Sequence, residues 1–367
     1  MSANEQAGPH WRVFQATGRV PETPPRLPQA PPWRRFRGGP PEAAPPDDPE
    51  AALRRLGRDD TTAQLGPDEI DVVNAALLLR RPLLVTGPPG IGKSTLAYLL
   101  SRELGLGRVL EWNIVSRTTL RDGLYDHDAM GRAQAINAWR AGAHHPADPV
   151  RRERGGDAGA TEAAAGSAQS TTRRQLPPQV GDFITLGPLG TALLPYDRPR
   201  VLLVDELDKS DIDLPNDLLH VLENGSYDVP ELVRDAVGEA RVHTSDPARR
   251  ALVRGGRVEC AEFPVVVITS NGEREFPAAF RRRCLPLEMR PPSREQLLAI
   301  VHRHLELRSP RAEEIVDLYV QQVQAGGTHS LDQLLNAYHM ATAGGFQVDG
   351  DGRTLMAMLL RDLAKGH

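Results

Sequence analysis

The run LLVTGPPGIGKSTLAYLL, Leu83 to Leu100, carries one lysine and two hydroxyls between two apolar flanks. Within it Gly87-Pro88-Pro89-Gly90-Ile91-Gly92-Lys93-Ser94 fits G-x-x-x-x-G-K-[ST] without a gap. Glycine accepts positive φ, which turns successive backbone N–H groups into one concavity, an anion nest. A helix that starts there adds its free N–H groups and its dipole. The chemistry is the holding of a phosphate chain, with Lys93 reaching the β- and γ-phosphates and the Ser94 hydroxyl binding Mg²⁺.

A second polar group follows an apolar run at Val201-Leu202-Leu203-Val204-Asp205-Glu206. Two carboxylates at the C-terminal end of a buried strand stand where open α/β sheets place their ligand sites. Asp205 is placed to hold Mg²⁺ through water, and Glu206 to orient and deprotonate an attacking water. The reading of this stretch as a solvated acidic turn weakens beside a phosphate loop, because the metal needs an acidic partner across the site. A third run, Val265 to Ile268, ends in Thr269-Ser270-Asn271. Asn271 either hydrogen-bonds the γ-phosphate and the same water or caps a turn. A fourth, AAFRRRC from Ala278 to Cys284, sets three arginines before a short apolar run. It is either a basic surface patch or an arginine finger that stabilises charge on a transferring phosphoryl group.

These groups need a scaffold. Strands are predicted at Leu83–Val85, Val109–Ile114, Val201–Val204, Val265–Thr269 and Leu285–Glu288, and a helix at Asp68–Leu79. Leu96, Leu99, Leu100 and Leu104 fall on one face of a helix after the loop. Strands alternating with helices predict an α/β fold, a parallel sheet covered on both faces. After Arg290-Pro291-Pro292 the pattern is helical only. Ser293 with Gln296 reads as a capping box, and Val316, Tyr319, Val320 and Val323, then Met356, Leu359, Leu360 and Leu363, give helical stripes. The expected division is an arm at 1–60, an α/β core at 61–290 and a helical domain at 291–367.

The 367 residues suit about two domains. The net charge of −4 gives no basic footprint for nucleic acid. Two cysteines, Cys260 and Cys284, fit a reducing compartment and no metal or disulfide pattern. The first residues lack a signal-peptide pattern, and no apolar run approaches the ~20 residues that span a bilayer. The expected location is cytoplasmic, away from membranes.

Two stretches stand apart. Residues 1 to about 60 are Pro-rich and predicted to be largely disordered. The Arg-aromatic runs WRVF at Trp11 and WRRFRG at Trp33 read as a solvated tail, or as residues that dock with a partner or stack on bases. About 141 to 179 lacks helical or strand period and reads as an insertion or functional loop; His144-His145 within it has no spaced partner ligands. Neither stretch carries core periodicity, so Met1–Asp60 and Ala143–Thr172 are each expected to be dispensable for folding. VDGDGRT at Val348 begins like a Ca²⁺ loop, but Leu360 stands where the bidentate Glu is required, so it is a turn.

The phosphate loop, Asp-Glu strand, Thr-Ser-Asn strand and arginine cluster, in this order before a helical segment, resemble the AAA+ ATPases. The phrases WNIVSRTTLRDGLYDHDAMGRAQ, FITLGPLGTALL, LLHVLENGSYDVPEL and ITSNGEREFPAAFRRRCL resemble the MoxR-like branch, and the resemblance covers about residues 65 to 365. It implies a P-loop NTPase core with a C-terminal helical lid, and ATP hydrolysed with Mg²⁺ between subunits of a ring, commonly a hexamer. It makes Gly87 to Ser94 with Thr95 the nucleotide loop, Asp205 and Glu206 the second motif, Asn271 sensor 1 and Arg283 the finger, with Arg282 next in line. It implies remodelling or activation of a protein client, often through a von Willebrand factor A domain partner. The usual sensor 2 cation, near the N-terminus of the lid helix, is missing from GGTHSLDQLLNAYHM, where His329 is the sole cationic candidate at that end. That departure opens a regulatory switch with little turnover as an alternative; a nucleic-acid motor or loader is the other.

Overall fold

The structure is a computed structural model that describes residues 11–57, 65–143, 177–235, 238–304, 315–321 and 330–343. The strands are β1 (Leu83–Thr86), β2 (Leu110–Asn113), β3 (Tyr125–His127), β4 (Ile184–Leu186), β5 (Val201–Asp205), β6 (Ser226–Asp228), β7 (Glu239–His243), β8 (Arg250–Arg254), β9 (Arg257–Glu259), β10 (Val265–Ser270) and β11 (Leu285–Glu288). The five predicted strands form one sheet in the order β11-β1-β10-β5-β2, and every neighbouring pair is parallel.

Continuous apolar runs are what such a sheet requires, because helices bury both of its faces. The period of two is visible in the packing. Leu84, Leu202, Val204, Val266 and Ile268 enter one core. Leu83, Val85, Val201, Leu203, Val265 and Val267 enter the other. On this second face lie α1 (Pro49–Leu56), α2 (Pro67–Leu79) and α3 (Thr95–Leu104), whose predicted Leu96, Leu99, Leu100 and Leu104 stripe is buried throughout. The first face carries α4 (Leu120–Leu124), α6 (Pro188–Ala192), α7 (Leu214–Asn224), α8 (Pro230–Arg234) and α9 (Ala278–Arg281); α5 (Ala129–Ala143) reaches into the stretch from about 141 that lacks a sequence period. The chain thus has the α/β P-loop NTPase fold, a parallel sheet with the phosphate loop leaving β1.

A second sheet, β3-β4-β7-β8-β9-β6, is largely antiparallel and lies outside the sequence expectations. Its inward residues Ala240, Val242, Ala251, Val253 and Val258 join the first core. Arg254 and Arg257 pair across the two-residue turn Gly255-Gly256, with φ of +56° and +72°. Two consecutive positive φ values at a hairpin turn are what glycine supplies without strain.

The arm differs most from expectation. Residues 11–57 lie against the core and are not a disordered tail. Phe14 and Ala16 are buried in the second core. Asn74 of α2, itself buried, receives Val13 and Phe14 N–H at 2.8 and 2.9 Å and donates to the Phe14 and Ile70 carbonyls at 2.7 and 2.9 Å. Its whole hydrogen-bonding capacity is used. Glu103 of α3 accepts from the Gln15, Thr17 and Gly18 N–H groups. Arg12 makes a two-pronged pair with Asp71, and the Arg34 guanidinium lies 4.1 Å from the Phe263 ring centroid. Proline removes backbone donors, but here Asn74 and Glu103 take up those of Val13, Phe14, Gln15, Thr17 and Gly18. Of the Arg-aromatic runs, Phe14 is buried and Arg34 packs on Phe263, while Trp11 and Trp33 stay exposed.

After β11 come α10 (Arg294–His304), α11 (315–321) and α12 (Leu331–Ala343). Ser293 and Gln296 form the predicted capping box. Leu297, Ile300, Val301, Val316, Tyr319, Leu334 and Tyr338 form a third, separate core. The Val320 member of the first stripe packs against it. Val323, the Met356 to Leu363 stripe, His144-His145, His329, Asp349 and most of 141–179 lie outside the described residues.

Candidate functional site

The loop between β1 and α3 is held by three glycines. Gly87, Gly90 and Gly92 have φ of +149°, +75° and +91°. A Cβ on Gly87 would stand 2.6 Å from the Met289 carbonyl, and one on Gly90 would stand 2.5 Å from Ser330. Pro88 and Pro89 ride on the exposed crest, while Ile91 is buried beneath it. Leu331 N–H donates to the Gly90 carbonyl at 3.0 Å, so the start of α12 sits on the phosphate loop.

Lys93 is 6% exposed. Its ammonium donates to the Gly87 and Pro88 carbonyls, each at 2.8 Å, and to Asn271 Oδ1 at 2.7 Å. Burial lowers its pKa below the ordinary lysine value, opposed by Asp208, Asp205 and Glu206. Ser94 stands at the N-cap of α3, yet it makes no side-chain cap. Its hydroxyl donates to Asp205 Oδ1 at 2.7 Å instead. Thr95 is the first residue of α3, with its N–H on the Gly92 carbonyl at 3.1 Å.

The Asp-Glu strand and the Thr-Ser-Asn strand meet because β5 and β10 are neighbours, with Val204 opposite Ile268. Thr269 makes the join. Its hydroxyl donates to Asp205 Oδ1 at 2.6 Å and accepts Glu206 N–H at 2.8 Å. Glu206 itself has φ +60° and ψ +48°, a left-handed conformation that a non-glycine residue holds at a cost. Asn271 Nδ2 is 3.5 Å from Glu206 Oε1, and Lys209 donates to Glu206 Oε2 at 2.6 Å. Lys209 is roughly half exposed, and its pKa is raised above the ordinary value by the bond to Glu206.

Lys93, Ser94, Asp205, Glu206 and Asn271 are therefore brought to one edge of the parallel sheet. Thr269 and Asp208 belong with them, though the sequence assigns neither a task. Asp208 Oδ2 accepts from Asn271 and Glu273 N–H. Arg283 is not brought there. Its guanidinium contacts are Glu223 of α7 and the Ala279 carbonyl, and the Arg81 side chain holds the carbonyls of Arg282 and Arg283.

The donor set fits the implied metal. A serine hydroxyl bonded to an aspartate oxygen is a pair of hard oxygen ligands, and Mg²⁺ uses one or two such groups with water and phosphate oxygens. Among the described residues no group of three or more His, Cys, Asp and Glu gathers as a metal cage, and no helix is long and apolar enough to cross a membrane.

No protein-family model and no curated protein matches this sequence. Among solved structures, NtrX from Brucella abortus in complex with ADP is 14% identical, with 70% of this chain and 44% of that one covered and a TM-score of 0.29. The match thus spans less than half of the NtrX chain. A point mutant of RuvB from Thermotoga maritima is 12% identical, with 85% of this chain and 81% of that one covered and a TM-score of 0.34.

Proposed function

We propose that the chain is a Mg²⁺-dependent ATPase of the AAA+ class, of the MoxR-like branch. One observation carries the reading. A buried lysine, a helix-start hydroxyl, a strand-end Asp-Glu pair and an Asn from the neighbouring strand converge through hydrogen bonds of 2.6–3.5 Å. Lys93, now on the carbonyls of its own loop and on Asn271, is the cation for the β- and γ-phosphates. Ser94 and Asp205 hold Mg²⁺, which supplies neutralisation of phosphate charge when bound. Glu206 orients a water and takes its proton. Asn271 fixes that water and the γ-phosphate.

The finer parts of the reading rest on the sequence resemblance. They are a homo-oligomeric ring, a hexamer, with Arg283 acting on a neighbour's nucleotide, residues 291–367 as the lid, and a protein client, a von Willebrand factor A domain protein being the candidate. We place the protein in the cytoplasm on its cysteine usage, since both thiols are free and buried.

One observation favours the second reading, a nucleotide switch with little turnover: the ion pair of Glu206 with Lys209 occupies the proposed base. Steady-state hydrolysis of Mg·ATP by the purified chain separates the two. The ATPase reading expects turnover that chelation of Mg²⁺ abolishes, that Lys93→Ala loses with ATP binding, and that Glu206→Gln loses while binding persists. Wild-type protein that binds ATP but does not turn it over would favour the switch. Equal ATP affinity in wild type and Lys93→Ala by calorimetry would overturn both.

A further inference from the structure

Asp208 is the one carboxylate at the site to which the proposed chemistry gives no task. It lies on the single 3-10 turn Leu207–Lys209 that follows the Asp-Glu pair, and it is 5% exposed. Oδ2 accepts Asn271 N–H at 2.9 Å and Glu273 N–H at 3.2 Å. Oδ1 is buried without a hydrogen-bond partner among the described residues. A carboxylate so enclosed is costly unless its bonds are worth more than its hydration.

What those bonds fix is the turn leaving β10. Gly272, between the two held amides, has φ +78° and open space where a Cβ would stand. Its own N–H donates to the Ser270 hydroxyl at 3.0 Å, so the amides on either side of it are the ones that Asp208 holds. Asn271, at its start, spans the site: Oδ1 accepts from Lys93 at 2.7 Å, and Nδ2 stands 3.5 Å from Glu206 Oε1. The Asn side chain is short, so its backbone position decides whether the amide reaches both. Asp208 is also the carboxylate that most offsets the burial of Lys93.

We propose that Asp208 is a positioning residue: its carboxylate clamps the turn after β10 so that the Asn271 amide bridges Lys93 and Glu206. The proposal rests on the ATPase reading above, in which Asn271 and Glu206 act on the γ-phosphate and the attacking water. Asp208 does not touch either. It acts through Asn271, and its removal matters only while Asn271 is there to be placed.

The test uses the full chain with Asp208→Ala, Asp208→Asn, Asn271→Ala and the Asp208→Ala/Asn271→Ala double variant. Asp208→Ala is expected to lower kcat for Mg·ATP by about 10²-fold, the usual consequence of a misplacement near 1 Å, with KM little changed. In the Asn271→Ala background the same substitution is expected to add no further loss. Asp208→Asn, which keeps an acceptor oxygen, recovers most of the rate. Hydrogen exchange in the nucleotide-free protein gives an independent readout: the Asn271 and Glu273 amides exchange faster in Asp208→Ala. Asp208→Ser, too short to reach either N–H, carries the same test if the alanine variant does not fold. An equal fall of kcat with and without Asn271 would overturn the proposal by making Asp208 merely structural. So would unchanged exchange at the two amides. Wild-type protein that hydrolyses nothing would sink the ATPase reading, and the exchange measurement would still decide whether the clamp exists.

Discussion

Lys209 Nζ lies 2.6 Å from Glu206 Oε2, three residues away across one turn, with both side chains roughly half exposed. A general base must offer an oxygen to the proton of water, and here the Lys209 ammonium holds one of the two Glu206 oxygens. Exposed pairs of this kind contribute about 0.2–1 kcal/mol. Lys209→Met is therefore expected to raise kcat by up to about fivefold, which is the rate equivalent of 1 kcal/mol. Steady-state turnover at saturating Mg·ATP checks it. An unchanged or lower kcat would mean that the pair does not restrain Glu206.

Thr269 serves Asp205 and Glu206 with one hydroxyl, and it is 1% exposed. Valine keeps its shape but offers the Glu206 N–H no acceptor. A buried donor left unsatisfied costs about 1–3 kcal/mol, and here it falls on a residue already in a left-handed conformation. Thr269→Val is expected to lose that much stability in denaturant titration and to hydrolyse ATP more slowly than Thr269→Ser, which keeps the hydroxyl. Equal stability and equal rates in the two variants would remove Thr269 from the site.

The arm gives a prediction opposite to the one its composition suggests. Deleting Met1–Asp60 would uncover the pocket that holds Phe14 and strand Asn74 and Glu103 without the backbone groups they now bind. The truncated chain is expected to be insoluble or to unfold at a clearly lower temperature. Asn74→Ala in the full chain is expected to cost about 1–3 kcal/mol for the groups it leaves unpaired. A truncated chain with the full-length melting temperature would return the arm to the status of a tail.

The difference between what could and could not be read lies in range. The five strands of the parallel sheet are legible because burial on both faces demands unbroken apolar runs such as Val265 to Ile268. Lys93, Ser94, Asp205 and Glu206 are legible because each stands at a fixed distance along the chain from such a run. Thr269 stands in the third run without a task, since its role depends on β10 lying beside β5, an adjacency no local pattern encodes. Asp208 is hidden for the same reason: its partners are more than sixty residues on. The second sheet does leave a local signal, the alternation in RALVRGGRVE about Gly255-Gly256. The arm leaves none, because the acceptors that hold it, Asn74 and Glu103, look on their own helices like ordinary polar positions.

Both cysteines are buried, and burial pushes each thiol up to about 12. The reactive species is the thiolate, and its fraction falls tenfold for each unit by which the pKa exceeds the pH. At pH 8 the native protein is expected to react with a disulfide reagent far more slowly than a free thiol does, and both cysteines to react promptly once the chain is denatured. Fast labelling of the native protein would mean that the core around these thiols opens readily. Raising the pH toward 12 should speed the native reaction, provided the fold survives.

Arg283 is turned to its own surface, tied to Glu223 and to the Ala279 carbonyl, while Lys93 and Glu206 meet elsewhere. In the proposed ring it would serve a neighbouring subunit. If it does, Arg283→Ala should bind ATP yet hydrolyse it more slowly by roughly 10³-fold or more, the usual share of a finger. Lys93→Ala should be inactive for the opposite reason, an empty loop beside an intact arginine. Mixing the two inactive proteins should restore turnover, because some interfaces would pair the intact loop of one with the intact arginine of the other. A finger acting within its own chain cannot be rescued in this way. Assembly of the mixture is checked by sedimentation, so that a failure to associate is not mistaken for a failure to complement. Mixed assemblies that form and stay inactive would exclude Arg283 as a finger acting between subunits and move the role to Arg282 or Arg281, both of which are exposed beside it.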